Sequence, residues 1–170
     1  DSLAVWYQMS WTFYYDQKNW TQPRLKAMID AVPKGKLVFL DYVCEEVEYF
    51  RSSDNFHGAP FIWCYLGNFG GNTHIVAPIN KVLTRINNIP KNSGCYGVGS
   101  TLEGINVNPV IYEAVLEQPW LNDNEKSMDN IILKYANRRS GMTDPAVQKA
   151  WKTLANEVLV DSATGIWNHS

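Results

Sequence analysis

Four short apolar runs, separated by segments of helical periodicity, constrain the fold of this chain most strongly. The runs occupy residues 3–9, 37–43, 60–66 and 95–99. Their hydrophobicity is nearly continuous, which is typical of strands in a parallel sheet that is covered on both faces. Because helical patterns lie between them, the expected order of elements is β-α-β-α-β-α-β-α. This alternation predicts an α/β fold.

The helices of this region are predicted from their apolar spacing and their end signals. Thr21 is a candidate N-cap with Pro23 in the first turn that follows, and Asn108 precedes Pro109 in the same way. Between these two helices, a third requires Pro78 in its first turn. The predicted apolar stripes are Leu25, Met28, Ile29 and Val32; Val76, Ile79, Val82, Leu83 and Ile86; and Val110, Ile111, Ala114 and Val115.

The alternation of strand and helix patterns ends after Trp120, which predicts a second domain. Residues 122–124 form a polar Asn-Asp-Asn linker, and the sequence beyond them is helical without strands. Two further apolar stripes are expected to face inward: Met128, Ile131, Ile132 and Tyr135; then Val147, Trp151, Leu154 and Val158. We therefore predict an α/β region over residues 1–120 and the beginning of an all-α domain over residues 121–170.

Repeating βα units are compatible with either an open doubly wound sheet or a closed barrel, and periodicity does not distinguish the two. No G-x-G-x-x-G motif opens a helix, and residues 97–100 (Gly-Val-Gly-Ser) lack the lysine of a phosphate-binding loop, so we expect a structural glycine turn there. A nucleotide-binding domain is thereby disfavoured. Four βα units cannot close a barrel, so we expect the chain to be part of something larger or to need a partner chain.

Composition and charge narrow the range of partners. The formal net charge is -2, without a long run of one sign, so binding to nucleic acid is not expected. No apolar stretch is long enough to span a membrane. Cys44, Cys64 and Cys95 have no metal-ligand spacing, so we expect buried thiols, no metal and no cofactor. Seven Trp and nine Tyr residues suit a carbohydrate ligand, because sugar rings stack on aromatic faces.

Candidate functional residues follow the predicted strands, because catalytic groups of βα barrels lie at the carboxyl ends of the strands. The candidates are Trp11, Asp41, Glu45, Trp63, Asn68 and Glu103. The same strand ends also offer Gln8, Ser10, Cys44, Glu46 and the loop of residues 70–72. From the residues alone, Trp11 is more simply a core or interface aromatic, and Asp41 and Glu45 are more simply solvated-loop or salt-bridge carboxylates. Glu103 is the strongest candidate because it follows a glycine-rich strand end and precedes a helix cap.

Several collinear motifs give the chain a specific resemblance to a known family. Residues 61–72 read FIWCYLGNFGGN, residues 31–36 read AVPKGK, and residues 97–105 read GVGSTLEGI. Together with Trp6, Trp11, Asp41 and Glu45, they resemble the α-N-acetylglucosaminidases of glycoside hydrolase family 89. The resemblance covers nearly the whole chain. It implies the second half of a (β/α)₈ TIM-type barrel, followed by the start of an α-helical domain.

The resemblance also implies an activity and a set of roles. Glu103 matches the catalytic nucleophile of a retaining, exo-acting hydrolase that removes terminal α-linked N-acetylglucosamine from heparan sulfate or mucin-type glycans. Trp11 matches an aromatic residue of the sugar subsite. The other residues expected to bind the substrate are Trp63, Asp41, Glu45 and Asn68. The family's acid/base glutamate lies in an Asn-Glu motif upstream of the first strand, whereas the Asn-Glu found here is at 124–125.

We therefore expect the isolated chain to be inactive and to need the remainder of a parent polypeptide, which the resemblance places in a secreted, periplasmic or lysosomal compartment. The alternative hypothesis is a noncatalytic carbohydrate-binding or scaffold module, in which aromatic residues bind glycans and Glu103 is an ordinary loop acid. Loss of glycan binding on Trp11→Ala, without hydrolysis by the parent protein, would favour that alternative.

Overall fold

The computed structural model describes residues 5–71 and 78–160, which fall into two compact units. The first unit comprises Asp1–Leu66 and Asn88–Thr101, and the second comprises Gly67–Asn87 and Leu102–Ser170. The strands lie in the first unit, and the longest helices lie in the second. The predicted domain boundary between residues 120 and 121 stays a prediction.

A four-stranded parallel sheet forms the centre of the first unit. Its strands are β1 (Trp6–Met9), β2 (Leu37–Asp41), β3 (Phe61–Tyr65) and β4 (Cys95–Ser100). They lie side by side in chain order, with Trp6 opposite Leu37 and Phe39 opposite Phe61. All four predicted strands are confirmed, as is the α/β class. The order follows the chain without the reversal that marks a doubly wound sheet.

The outer strands of this sheet are more exposed than the inner strands. Every residue of β2 and β3 is buried or half-buried, whereas Trp6 and Tyr7 of β1 are 48% and 58% exposed. Within the described ranges, β1 pairs with β2 alone and β4 pairs with β3 alone. The sheet therefore has two open edges, as expected for a sheet that has not closed into a barrel.

Short helical segments and an aromatic core complete the first unit. The segments are α1 (Trp11–Tyr15), α2 (Gln22–Asp30), α3 (Tyr49–Ser52) and α4 (Asp54–His57). All four residues of α4 have positive φ, which is sterically unfavourable for side chains as large as Phe and His. Buried Phe56 stacks on Phe39, at 4.3 Å between ring centroids, and this contact offsets part of the cost.

The second unit is helical. Its helices are α5 (Ile79–Asn87), α6 (Pro109–Glu117), α7 (Met128–Ser140) and α8 (Pro145–Glu157). Single 3₁₀ turns occur at Phe69–Gly71, Gln118–Trp120 and Asp123–Glu125. Helices α5 and α6 pack against each other and against α7, which also packs against α8. The predicted apolar stripes of α5 and α6 are buried, apart from Val76, which lies outside the described residues.

Several local predictions are wrong in detail. Leu154 and Val158 are about two-fifths exposed, whereas Trp151 contacts Tyr135 of α7 as predicted and Ala155 is the buried residue of α8. Pro78 immediately precedes α5, and its carbonyl accepts the first hydrogen bond of the helix, from the Val82 N–H at 3.0 Å, so its predicted place at the helix start is confirmed. The expected glycine turn at residues 97–100 is strand β4.

The missing side chain at Gly99 explains why β4 can continue through this glycine-rich segment. A side chain at Gly99 would come within 3.0 Å of Ile62 Cγ2, so its absence permits close approach to β3. Among the described residues, no helix has both the length and the apolar character to cross a membrane.

Candidate active site

Glu103 lies in the loop between β4 and α6, and its side chain is exposed. The backbone N–H of Gly70 donates a hydrogen bond of 2.6 Å to Glu103 Oε2. Such a donor stabilises a carboxylate and restricts the rotamers that it can adopt. Both residues belong to the second unit. The loop thus presents an accessible carboxylate in a defined orientation, which is what a nucleophile needs.

Asn68 fixes the backbone on both sides of Glu103. Its Oδ1 accepts from the Glu103 N–H at 2.9 Å, and its Nδ2 donates to the Gly104 carbonyl at 2.9 Å. The Asn68 side chain is fully buried. The sequence predicts Asn68 as a substrate contact, but its side chain is fully buried and its amide binds the loop backbone on both sides of Glu103. The geometry favours a role in positioning Glu103 instead, and a substrate contact stays a prediction.

Trp11 begins α1, directly after the end of β1, and is 38% exposed. Its ring contacts Tyr15, one helical turn later, at 3.9 Å between centroids, and Tyr42, which follows β2, edge-on at 5.2 Å. Tyr15 is 51% exposed, so the two rings of α1 form an accessible aromatic surface. Such a surface suits an apolar sugar face. This exposure argues against a core position for Trp11, whereas an interface aromatic, which the sequence also allowed, stays an alternative and its contact with substrate stays a prediction.

Asp41 is fully buried at the end of β2 and is surrounded by donors. Its Oδ1 accepts from the Ser10 hydroxyl at 2.9 Å, and its Oδ2 accepts from the Phe50 N–H at 3.1 Å. Burial raises the pKa of the Asp41 carboxyl to about 6, although these hydrogen bonds oppose the increase. Asp41 connects the end of β1 to α3, and its predicted contact with substrate stays a prediction.

The raised pKa of Asp41 makes stability depend on pH. A carboxyl whose pKa rises from 3.8 to about 6 on folding binds its proton more tightly in the native state. Its stabilising contribution is therefore complete below pH 3.8 and is lost as the pH rises through 6. Relative to the non-titrating Asp41→Asn variant, we expect the wild type to lose about 2 kcal/mol between pH 4 and pH 7.

Urea unfolding, followed by tryptophan fluorescence at pH 4, 5, 6 and 7, measures this difference. Asp30→Asn is the matched control, because Asp30 is an exposed carboxylate on α2 that pairs with Lys26. The control should show a much smaller pH-dependent difference. A wild-type minus Asp41→Asn difference that stays constant from pH 4 to pH 7 would contradict the raised pKa.

Glu45 and Trp63, two other predicted substrate contacts, are fully buried in the first unit. Both carboxylate oxygens of Glu45 accept from the Leu66 N–H at 3.1 Å, which holds the end of β3. The indole of Trp63 donates to Glu48 Oε1 at 2.9 Å. Neither side chain offers a face to a ligand, so these placements favour structural roles and their contacts with substrate stay predictions.

Three further residues support these groups. Ser10 precedes Trp11 and bonds Asp41, Tyr42 supports the Trp11 ring, and Gly70 donates to Glu103. The sequence indicated Ser10 and the loop of residues 70–72 by their positions beyond strand ends, but gave neither a role. Tyr42 was not identified, and its position directly after β2 is the signal that could have found it.

The prediction of buried thiols is confirmed in part, and the described residues contain no candidate metal site. Cys44 and Cys64 are buried free thiols, Cys95 is half-buried, and burial raises the pKa of all three. Over residues 5–71 and 78–160, no cluster of three or more His, Cys, Asp or Glu side chains could hold a metal ion. Glu103 and Asn68 lie in the second unit and the other four candidates in the first, so their convergence on one site stays a prediction.

Known proteins match the chain in sequence and in structure. The chain is 32% identical to human alpha-N-acetylglucosaminidase over 176 aligned positions, which include all of this chain and 23% of the human protein. A family 89 glycoside hydrolase from Clostridium perfringens, solved in complex with PUGNAc, matches with a TM-score of 0.76 and 26% identity. That match covers 94% of this chain and 17% of the bacterial chain.

A variant of CpGH89 from Clostridium perfringens, in complex with its substrate GlcNAc-alpha-1,4-galactose, has the same fold, with a TM-score of 0.69 and 24% identity. This match covers 95% of the chain and 17% of the bacterial chain, so the chain spans about a fifth of its relatives' length. Residues 1–122 match the family described as the alpha-N-acetylglucosaminidase (NAGLU) tim-barrel domain. The chain therefore belongs to the alpha-N-acetylglucosaminidase tim-barrel family.

Proposed function

We propose that this chain is the nucleophile-bearing second half of the (β/α)₈ barrel of a retaining, exo-acting α-N-acetylglucosaminidase, followed by the start of a helical domain. Glu103 is the nucleophile, and the acid/base carboxyl comes from the remainder of the parent polypeptide. The substrate is a glycan that ends in α-linked N-acetylglucosamine, of the heparan sulfate or mucin type. We further propose a secreted, periplasmic or lysosomal location.

The observation that carries this proposal is the support given to Glu103. Its exposed carboxylate receives the Gly70 N–H, and its backbone is held by the fully buried Asn68. An ordinary loop glutamate does not need a buried amide side chain that binds both its own N–H and the carbonyl of the next residue. A nucleophile does, because displacement of a reacting atom by about 1 Å can cost about 100-fold in rate.

Stereochemistry explains why this reaction needs a protein nucleophile. In an α-linked N-acetylglucosaminide, the 2-acetamido group lies on the same face as the leaving oxygen and cannot attack the anomeric carbon from the opposite face. Glu103 attacks from that face, the bond to the leaving oxygen breaks, and the acid/base carboxyl protonates the departing alcohol. The product of this step is a β-linked glycosyl ester on Glu103.

The second step releases the sugar. The acid/base group, now a carboxylate, takes a proton from water, the water oxygen attacks the anomeric carbon, and the ester bond to Glu103 breaks. Two inversions restore the α configuration. Retaining enzymes place the two carboxyl groups about 5 to 5.5 Å apart, so the partner of Glu103 must reach this loop from elsewhere in the parent polypeptide. Trp11 and Tyr15 provide apolar rings for the substrate.

Hydrolysis of an aryl α-N-acetylglucosaminide by the full-length polypeptide tests the proposal. Proton NMR of the earliest product should show the α anomer, and the 170-residue chain alone should give no turnover. A β anomer as first product would exclude the double displacement. Glycan binding without hydrolysis by the full-length polypeptide would favour the noncatalytic module, and robust turnover by the chain alone would contradict the missing acid/base group.

A further inference from the structure

Ser10 lies at the junction between β1 and α1 and bonds to both neighbouring elements. Its backbone carbonyl accepts from the N–H groups of Phe13 and Tyr14, which start α1. Its hydroxyl, which is buried, donates to Asp41 Oδ1 at 2.9 Å and accepts from the Tyr42 N–H at 2.9 Å. Because Trp11 follows immediately, the path of its backbone is set by the contacts of Ser10.

Asp41 links these hydrogen bonds to α3. While one carboxylate oxygen accepts from Ser10, the other accepts from the Phe50 N–H at the start of α3. Tyr42, the next residue, is held at both backbone groups: its N–H by Ser10 and its carbonyl by the hydroxyl of Thr101. The Tyr42 ring, 5% exposed, contacts the Trp11 ring edge-on. The buried side chains of Ser10 and Asp41 thus hold the backbone next to Trp11 against the backbone of Tyr42.

We propose that Ser10 and Asp41 are positioning residues that orient Trp11 for sugar binding by holding it against Tyr42. This inference rests on the proposed function, in which Trp11 binds the substrate. A ring that contacts the sugar through its apolar face binds ground state and transition state to similar extents. Loss of its orientation therefore raises KM and leaves kcat nearly unchanged.

Ser10→Ala in the full-length enzyme is the primary test. The substitution removes the donor to Asp41 and the acceptor for the Tyr42 N–H without adding volume. The Trp11 ring is then no longer held against Tyr42. We expect KM for an aryl α-N-acetylglucosaminide to rise about 10-fold, with kcat within about twofold of the wild type. Asp41→Asn, which keeps the side-chain volume, should raise KM in the same direction.

Ser53→Ala is the matched control for a loss of stability alone. Ser53 is also fully buried in the first unit, and its hydroxyl donates to the Tyr49 carbonyl and accepts from the Phe56 N–H. Its variant loses a comparable pair of hydrogen bonds, which Ser53 makes with α3 and α4. We expect a lower melting temperature and an unchanged KM.

A double-mutant cycle with Trp11→Ala separates positioning from an independent effect. If Ser10 acts through Trp11, adding Ser10→Ala to Trp11→Ala should raise KM by less than about twofold beyond Trp11→Ala alone. An unchanged KM in Ser10→Ala, or full additivity in the double variant, overturns the inference while the enzyme's activity still supports the proposed function. An inactive wild type would instead refute the proposed function itself.

Discussion

Replacing Glu103 with glutamine should lower the kcat of the full-length enzyme at least about 10⁴-fold, because the amide cannot form the glycosyl ester. Glutamine has nearly the same volume, and its side-chain oxygen can still accept from the Gly70 N–H. The fold and the affinity for an N-acetylglucosamine-like inhibitor should therefore be nearly unchanged. Steady-state kinetics, together with inhibitor titration by calorimetry, measures both quantities.

Glu113→Gln is the matched control for this experiment. Glu113 is a glutamate of the same unit, located on α6, and its carboxylate pairs with Arg138 and Arg139. Its loss should leave kcat within about twofold, since partly exposed ion pairs contribute little to stability. If Glu103→Gln retained more than about a tenth of the wild-type kcat, Glu103 could not be the nucleophile.

Asn68→Ala is expected to have the second largest effect, a fall in kcat of about 100-fold. The substitution leaves the Glu103 N–H and the Gly104 carbonyl without their partner and opens a buried space beside the loop. Asn68→Asp is informative as well, because its carboxylate still accepts from the N–H but cannot donate to the carbonyl. Its kcat should also fall, with a carboxylate now placed near the nucleophile.

Gln118→Met controls for the loss of a buried amide. Gln118 is 2% exposed in the same unit, and its Nε2 donates to the Ala114 carbonyl within α6 and the turn that follows. We expect this variant to keep the wild-type kcat, and its stability should change little, because the substitution also removes Gln118 Oε1, a buried acceptor without a hydrogen-bond partner among the described residues. Kinetics and thermal unfolding of both variants give the comparison. Equal kcat values for Asn68→Ala and the wild type would show that Glu103 does not depend on the amide.

The strands and the longer helices were predictable because burial on one or both faces leaves a periodic signal. Residues 37–41 and 61–65 are apolar throughout or nearly so, and they form the two inner strands. The stripe of α6 follows from spacing after Asn108-Pro109. By contrast, α4 could not be predicted, since its positive φ angles depend on the tertiary packing of Phe56 against Phe39.

The candidate site was predictable in position but not in the roles of its residues. Polar residues beyond strand ends were expected to face a ligand, and Glu103 and Trp11 are exposed as expected. Asp41 and Glu45 follow the same rule of position, yet their carboxylates are buried and bind backbone N–H groups. A sequence does not distinguish these cases, because the donors lie far away along the chain.

Covalent trapping tests the central claim most directly. The full-length enzyme is treated with an α-configured 5-fluoro N-acetylglucosaminyl fluoride, which forms the glycosyl ester quickly and hydrolyses slowly. Proteolysis and mass spectrometry then locate the added sugar. We predict that the label is attached to Glu103 and that Glu103→Gln remains unlabelled. A sugar attached to any other carboxylate would contradict the assignment of Glu103 as the nucleophile.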